Sequence, residues 1–150
     1  MAEPGDGAGA GTRELVYVSW GGTGRAATVR EAMGRAGASG LGLVYLAILD
    51  DSAFGDIDPA MLELAGEELA WLLDAQLELT RSQTDLDDVP VRVLVRTGDV
   101  ADRICELVQA TGATEILIGA PGPLAADDVV TALVDAVRHR VPVPVEIIEP

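Results

Sequence analysis

Residues 91–122 read VRVLVRTGDVADRICELVQATGATEILIGAPG, and this stretch decides the fold class. Branched apolar residues dominate Val91–Val95 and fill Ile116–Ile118, which is typical of buried strands. Between them, apolar residues recur at steps of three and four over Val100–Val108, the spacing of one helix face. Because strands joined through a helix run parallel, the stretch predicts a strand–helix–strand unit.

The same alternation extends in both directions from this unit. Further strands are predicted at Leu15–Val18, Leu41–Ile48 and Val143–Ile148, and further helices over Ala26–Ala36, Leu62–Leu77 and Val130–Val137. Right-handed crossovers between consecutive strands place helices on both faces of one sheet. The sequence therefore predicts an α/β domain with a doubly wound, five-stranded parallel sheet.

Local residue choices refine this prediction. Arg92 and Arg96 interrupt the third strand, as at a sheet edge. Pro142 and Pro144 likewise favour an edge position for the last strand. The longest helix is expected to bury one apolar stripe, which consists of Leu62, Ala65, Leu69, Leu72, Leu73 and Leu77.

Length and charge bound the class of protein. The 150 residues suit a single domain, predicted at residues 13–150 after a disordered tail over Met1–Thr12 that lacks branched apolar residues. A net charge of −15 disfavours nucleic acid and anionic membranes as partners. No apolar run has the length of a membrane span and no signal peptide is recognisable, so the expected location is the cytoplasm.

The chain offers few residues for catalysis. Its single cysteine, Cys105, and single histidine, His139, argue against an internal disulfide, a cysteine zinc site and a multi-histidine metal site. Cys105 is expected to be a buried structural thiol, and His139 a solvated residue at a helix end. With no lysine there is no Walker-type Gly-Lys-Ser. We expect neither an enzyme nor a metal site.

A candidate binding site is expected where the strand order reverses, at the carboxyl ends of the first and fourth strands. The loop after the first strand contains Gly21, Gly22, Gly24 and Arg25, whose backbone N–H groups and guanidinium suit an anion. The alternative is a flexible turn in which Thr23 caps the next helix.

The loop after the fourth strand is the second half of this candidate site. Gly119 and Gly122 permit it to curve around a phosphate, whereas Asp127 and Asp128 would repel one. Alternatively, the two aspartates begin the last helix, where the helix dipole favours negative charge.

Acidic residues are concentrated in one segment of the chain. Twelve of them lie over Asp50–Asp88, opposed there by Arg81 alone. The segment is interpreted either as a solvated, solubilising face or as a docking surface for a basic partner.

These residues resemble the universal stress protein family over Glu14–Pro150. The resemblance is carried by residues 91–122, including GDVA at 98–101 and ATEILIG at 113–119, and by RHRVPVPV at 138–145. It implies a Rossmann-like fold of the adenine nucleotide alpha hydrolase-like type and a role in stress response. It also implies a homodimer formed through the last strand, because Val143, Val145, Ile147 and Ile148 would otherwise leave an apolar edge exposed.

Members of that family that bind ATP share a motif, which this chain matches only in part. They carry Asp at the end of the first strand, where this chain has Ser19. They also carry Gly-x-x-Gly, nine residues, then Gly-Ser/Thr, of which Gly119 and Gly122 match the first half. The second half falls on Ala132-Leu133 or, in another register, on Thr131-Ala132; both lose the glycine, and Thr131 alone keeps a hydroxyl.

The resemblance and these departures lead to one expectation and one alternative. We expect a homodimeric, non-enzymatic regulatory domain that needs no cofactor, binds ATP weakly or not at all, and acts through a protein partner. The alternative is an ATP- or AMP-binding member with an altered phosphate loop. Its pocket would be formed by Ser19, Gly21, Gly22, Gly24, Arg25, Leu46, Gly119, Gly122 and Thr131.

Overall fold

A computed structural model describes residues 13–20, 26–49, 58–86, 88–119 and 127–148. The described residues form five strands and four helices in strict alternation. They are β1 (Glu14–Trp20), α1 (Ala26–Ala38), β2 (Gly42–Leu49), α2 (Pro59–Ser82), β3 (Val91–Thr97), α3 (Val100–Ala110), β4 (Ala113–Gly119), α4 (Asp127–Arg138) and β5 (Val145–Ile148). The predicted tail, Met1–Thr12, lies outside the described residues.

All neighbouring strands pair in parallel, in the order β3-β2-β1-β4-β5. The predicted doubly wound sheet is confirmed, and β3 and β5 lie at its edges as the arginines and prolines indicated. Chain order runs outward from β1 in both directions, first to β2 and β3 and later to β4 and β5. The order therefore reverses between β1 and β4, which places the candidate site at their carboxyl ends.

The sheet has one apolar core on each face, because successive side chains of a strand point to opposite sides. On one face, α1 and α2 cover Leu15, Tyr17 and Tyr45. On the other, α3 and α4 cover Val16 and Val18. All eight residues of β2 are buried, as expected of a strand covered on both faces.

Aspartate caps define the starts of two helices. Asp99 accepts a hydrogen bond from the backbone N–H of Asp102 at 3.0 Å and so caps α3. Asp58 caps α2 through the N–H of Ala60 at 2.8 Å, and Pro59 is the first helical residue. The helix thus begins three residues before the predicted start at Leu62, although Asp-Pro is a recognisable start signal for a helix.

The expected burial of Leu72 is wrong. Its side chain is 49% exposed, whereas the adjacent Leu73 is fully buried. Helix α2 faces the sheet with Leu69, Leu73 and Leu77, which follow one another at steps of four. Successive helical residues point about 100° apart, so Leu72 lies outside this buried row.

The last strand is shorter than expected, and its side chains are better covered. Val143 precedes β5 in a bend rather than lying in the strand, and its side chain is half-buried. Val145 and Ile148 are 5% and 3% exposed, because each packs into the core on its own face of the sheet. The expectation that these two side chains form an exposed apolar edge is therefore wrong, and Ile147 is half-buried.

Ion pairs tie the strands together at two places. Arg92 on β3 donates two hydrogen bonds to the carboxylate of Glu14 on β1, at 2.9 and 2.8 Å, across the small Gly42 of β2. Arg35 on α1 donates to Glu146 on β5 at 2.9 Å, and this hydrogen bond lowers the pKa of Glu146. Both pairs link strands or helices that are distant in the chain.

None of the helices in the described ranges has both the length and the hydropathy that crossing a membrane requires.

Candidate functional site

Two of the predicted site residues meet at the point where the strand order reverses. Val18 of β1 is in register with Ile118 of β4, so the next residues of the two strands, Ser19 and Gly119, are neighbours. Ser19 is 4% exposed and Gly119 is the last residue of β4. The structure therefore brings together the residues expected to end the two strands of the site.

Gly119 has a packing role in this arrangement. A Cβ added to it would lie 2.9 Å from Cζ of Tyr17 and closer still to the Tyr17 hydroxyl oxygen. Real Cβ atoms essentially never approach a neighbour that closely, so the Tyr17 ring needs a glycine here. The glycine that matches the first position of the family's loop pattern is thus explained by the packing of the strand beside it.

A buried tyrosine pair lies behind Ser19 and Gly119, and it was not predicted from the sequence. The Tyr17 hydroxyl and Thr28 Oγ1 are 2.7 Å apart and hydrogen-bonded. The rings of Tyr17 and Tyr45 meet edge to face, with centroids 5.1 Å apart, and Tyr45 donates to Gln76 Oε1 at 3.1 Å. Burial raises the pKa of Tyr17, against the opposing effect of the Thr28 hydrogen bond. Two tyrosines at equivalent points of adjacent apolar runs were the available signal.

Leu46 is not brought together with Ser19. It pairs in register with Val18, so its side chain points to the opposite face of the sheet from Ser19. There it is 1% exposed and lines a cleft of about 210 Å³ between β3 and α3. Arg96, Arg103 and Glu106 border the same cleft.

Thr131 is exposed and lies inside a helix rather than in a loop. Helix α4 begins at Asp127, so Thr131 is its fifth residue. The alternative in which Asp127 and Asp128 begin the last helix is confirmed by these bounds. The remaining predicted site residues, Gly21, Gly22, Gly24, Arg25 and Gly122, lie outside the described residues, as does Thr23.

The two residues considered for catalysis lie in ordinary structural surroundings. Cys105 is buried, as expected, and burial raises the pKa of its thiol, although Arg140 acts in the opposite direction. A protonated thiol is a poor nucleophile. His139 is exposed, and its Nδ1 lies 2.7 Å from the backbone oxygen of Asp135. Within the described ranges, no three His, Cys, Asp or Glu side chains are grouped to hold a metal ion.

Comparisons with known proteins point to one family. The sequence model of the universal stress protein family matches residues 15–149. No curated protein matches the sequence.

Solved structures with a similar fold include UspA from Lactobacillus plantarum, 21% identical with a TM-score of 0.56, where the match covers 91% of this chain and 99% of the other. A universal stress protein in complex with cAMP is 14% identical with a TM-score of 0.59, covering 90% and 96%. The Archaeoglobus fulgidus universal stress protein in complex with dAMP is 14% identical with a TM-score of 0.58, covering 91% and 96%. These likenesses confirm the fold.

Proposed function

The chain belongs to the universal stress protein family, and we propose that it is a non-enzymatic regulatory domain that binds ATP weakly or not at all. The observation that carries the proposal is the position of Thr131 and Ala132 within α4. In one register, Thr131 aligns with the second-half glycine of the ATP-binding pattern and Ala132 with the Ser/Thr that follows it. In the other register, Ala132 aligns with that glycine.

The backbone of α4 explains why this position matters. In an α-helix the N–H of each residue donates to the carbonyl four residues earlier, so only the first four N–H groups are available to a ligand. Inside α4 the free groups are those of residues 127–129, and the N–H groups of Thr131 and Ala132 are committed within the helix. In addition, the first two residues of α4 are aspartates, which repel a phosphate at the helix end where one would bind.

Ser19 supports the same proposal from the other side of the site. A hydrogen bond to a carboxylate is roughly twice as strong as one between neutral groups. Ser19 offers a neutral hydroxyl where ATP-binding members offer an aspartate, and it is 4% exposed. The change removes charge-assisted recognition of a nucleoside at this strand end.

The non-enzymatic part of the proposal rests on the surroundings of the two candidate groups. Cys105 is buried with a raised thiol pKa, and His139 is exposed on α4 beside its own helix backbone. Neither stands at the meeting point of Ser19 and Gly119. We therefore propose regulation by binding, in the cytoplasm, through a protein partner.

Isothermal titration of the full chain with Mg-ATP tests the nucleotide part of this proposal. We expect no saturable heat up to about 1 mM ATP, which corresponds to a binding free energy weaker than about −4 kcal/mol. Saturable binding at micromolar ATP would contradict it and would mean that the altered loop still holds a triphosphate.

A second candidate function is the binding of adenosine monophosphates. The observation that favours it is that two of the structurally similar proteins are complexes with cAMP and dAMP. A single phosphate requires fewer N–H donors than a triphosphate, so Arg25 and the glycines beside it would suffice. Titration of the wild-type chain with AMP and with cAMP tests this function. We expect binding that is lost in Arg25→Ala, and a wild-type chain that binds neither nucleotide would exclude the function.

We also propose that two copies of the chain pair through β5. Its position at the sheet edge supports this, since an edge strand presents N–H and carbonyl groups to a further strand. Sedimentation velocity at about 10 µM should give a dimer for the wild type and a monomer for Ile147→Lys. The substitution would weaken the dimer because it would bury a lysine charge between the two copies. Thr97→Lys, an exposed residue on the opposite edge strand, is the control and should remain dimeric. A monomeric wild-type chain would contradict the pairing.

A further inference from the structure

The outer side of α2 carries an apolar stripe, formed by Met61, Leu64, Trp71, Leu72 and Leu79. In the part of the chain that the structure describes, these are the large hydrophobic side chains that are about half exposed or more. Trp71 is 71% exposed. At about 100° per residue the five positions fall within about 100° of the helix circumference. Large exposed apolar patches on a protein surface mark interaction sites.

An acidic stripe runs beside the apolar stripe along the same helix. It consists of Glu63, Glu67, Asp74 and Glu78, all of them exposed, and Glu68 lies within the apolar stripe itself. The basic residue of α2 is Arg81, whose Nη1 lies 3.9 Å from Glu78 Oε1. With five acidic residues and one arginine, the helix has a net charge of −4.

The two stripes meet in a shallow groove. Glu67, Glu68, Trp71 and Leu72 line it, and its volume is about 390 Å³. The groove therefore offers an aromatic ring, an aliphatic side chain and two carboxylates to the same ligand. This combination fits a side chain with an apolar stem and a cationic end, such as lysine or arginine.

We propose that this face of α2 docks a basic amphipathic helix from a partner protein. The partner would lay its apolar side on the apolar stripe and its lysines or arginines along the acidic stripe. The span from Met61 to Leu79 is about 27 Å, which matches a partner helix of about 18 residues. A second copy of the chain is disfavoured as the occupant, because it would bring two helices of the same charge together.

For its biological role this inference rests on the proposed regulatory function, since such a partner is what the domain would regulate. Its test is separate, because it measures binding on α2, away from the carboxyl ends of β1 and β4. If the docking fails while ATP still does not bind, only the docking inference is overturned. If ATP binds tightly while the docking succeeds, only the proposed function is overturned.

The probe is a fluorescein-labelled synthetic peptide of 18 residues with leucines along one helical face and lysines along one flank. Fluorescence anisotropy with the full-length chain should show saturable binding that weakens as salt is raised. The matched peptide with glutamate in place of lysine should bind at least about tenfold more weakly. Absent binding of the lysine peptide, or equal binding of the two peptides, would overturn the proposal.

Substitutions on the protein locate the site. Trp71→Ala should weaken peptide binding at least about tenfold, as expected of an aromatic anchor. Glu67→Lys combined with Asp74→Lys should weaken it at least about fivefold. Asp135→Lys, which reverses the charge of an exposed acid on α4, is the control away from the groove and should change binding less than about twofold. Equal effects of these three protein variants on peptide binding would overturn the proposal. It would also be overturned if the wild-type chain were a dimer that Trp71→Ala dissociates, because the apolar stripe would then serve self-association.

Discussion

Replacing Leu73 with alanine should lower the free energy of unfolding by about 2–5 kcal/mol, the largest effect expected for a single substitution in this account. Leu73 is fully buried at the centre of the row that α2 packs on the sheet, between Leu69 and Leu77. The substitution removes three carbon atoms from the core and leaves a cavity that the surrounding side chains fill only in part. Urea unfolding followed by circular dichroism measures the loss.

Leu72→Ala is the matched control, since it makes the same chemical change one residue away on the same helix. Leu72 is 49% exposed and belongs to the apolar stripe, so its stability change should stay within about 0.5 kcal/mol. Equal losses for the two variants would mean that α2 is rotated relative to the sheet. That result would also remove the basis for the docking surface.

The second large effect is expected at Gly119. Gly119→Ala should lower the free energy of unfolding by about 1–3 kcal/mol, because its Cβ would press on the Tyr17 ring. The ring has little room to move, since its hydroxyl is bonded to Thr28 and its edge or face contacts Tyr45. For a chain of this length, a thermal scan should show a midpoint lower by roughly 2–4 °C for each kcal/mol lost.

Two further variants test the cause of this effect. Gly34→Ala makes the same substitution in α1, where a Cβ meets nothing within 4 Å, so it should raise stability by about 0.5–1 kcal/mol through better helix formation. Tyr17→Phe combined with Gly119→Ala removes the hydroxyl oxygen nearest the added Cβ. The combined loss should therefore be smaller than the sum of the two single losses. A combined loss equal to the sum would show that Tyr17 is not the obstacle.

Periodicity in the sequence was sufficient to predict the fold. Apolar runs such as Val91–Val95 and amphipathic stretches such as Val100–Val108 alternate without interruption, and right-handed crossovers leave few topologies for such a chain. Arg92 and Arg96 identified an edge strand because long charged side chains are tolerated there. These signals are local, and the structure confirms the strand order that they imply.

The faces of α2 could not be separated from the sequence because the helix has leucines on two sides. A row of Leu69, Leu73 and Leu77 packs on the sheet, while Leu72 and Leu79 lie outside that row and are exposed. A search for a single apolar side assigns both groups of leucines to one buried stripe, which is why Leu72 was predicted to be buried. Only contact with the sheet decides which set is buried.

The candidate site was predictable in position but not in detail. Parallel strands place their carboxyl ends together, so Ser19 and Gly119 were expected to be neighbours, and they are. The strand alternation that turns Leu46 away from Ser19 depends on the register of β2 against β1, which the sequence does not encode locally. Likewise, the start of α4 at Asp127 decides that the N–H of Thr131 is used within the helix.

A thermal unfolding scan of the full chain with and without about 2 mM Mg-ATP decides whether the domain binds ATP. A ligand at a hundred times its dissociation constant stabilises the folded state by about 2.7 kcal/mol, which for a chain of this length raises the midpoint by roughly 5–10 °C. We predict no shift beyond the scatter of replicate scans, because the amides of Thr131 and Ala132 are committed within α4 and Ser19 replaces a carboxylate. An upward shift of several degrees would instead identify the chain as a nucleotide-binding member of its family.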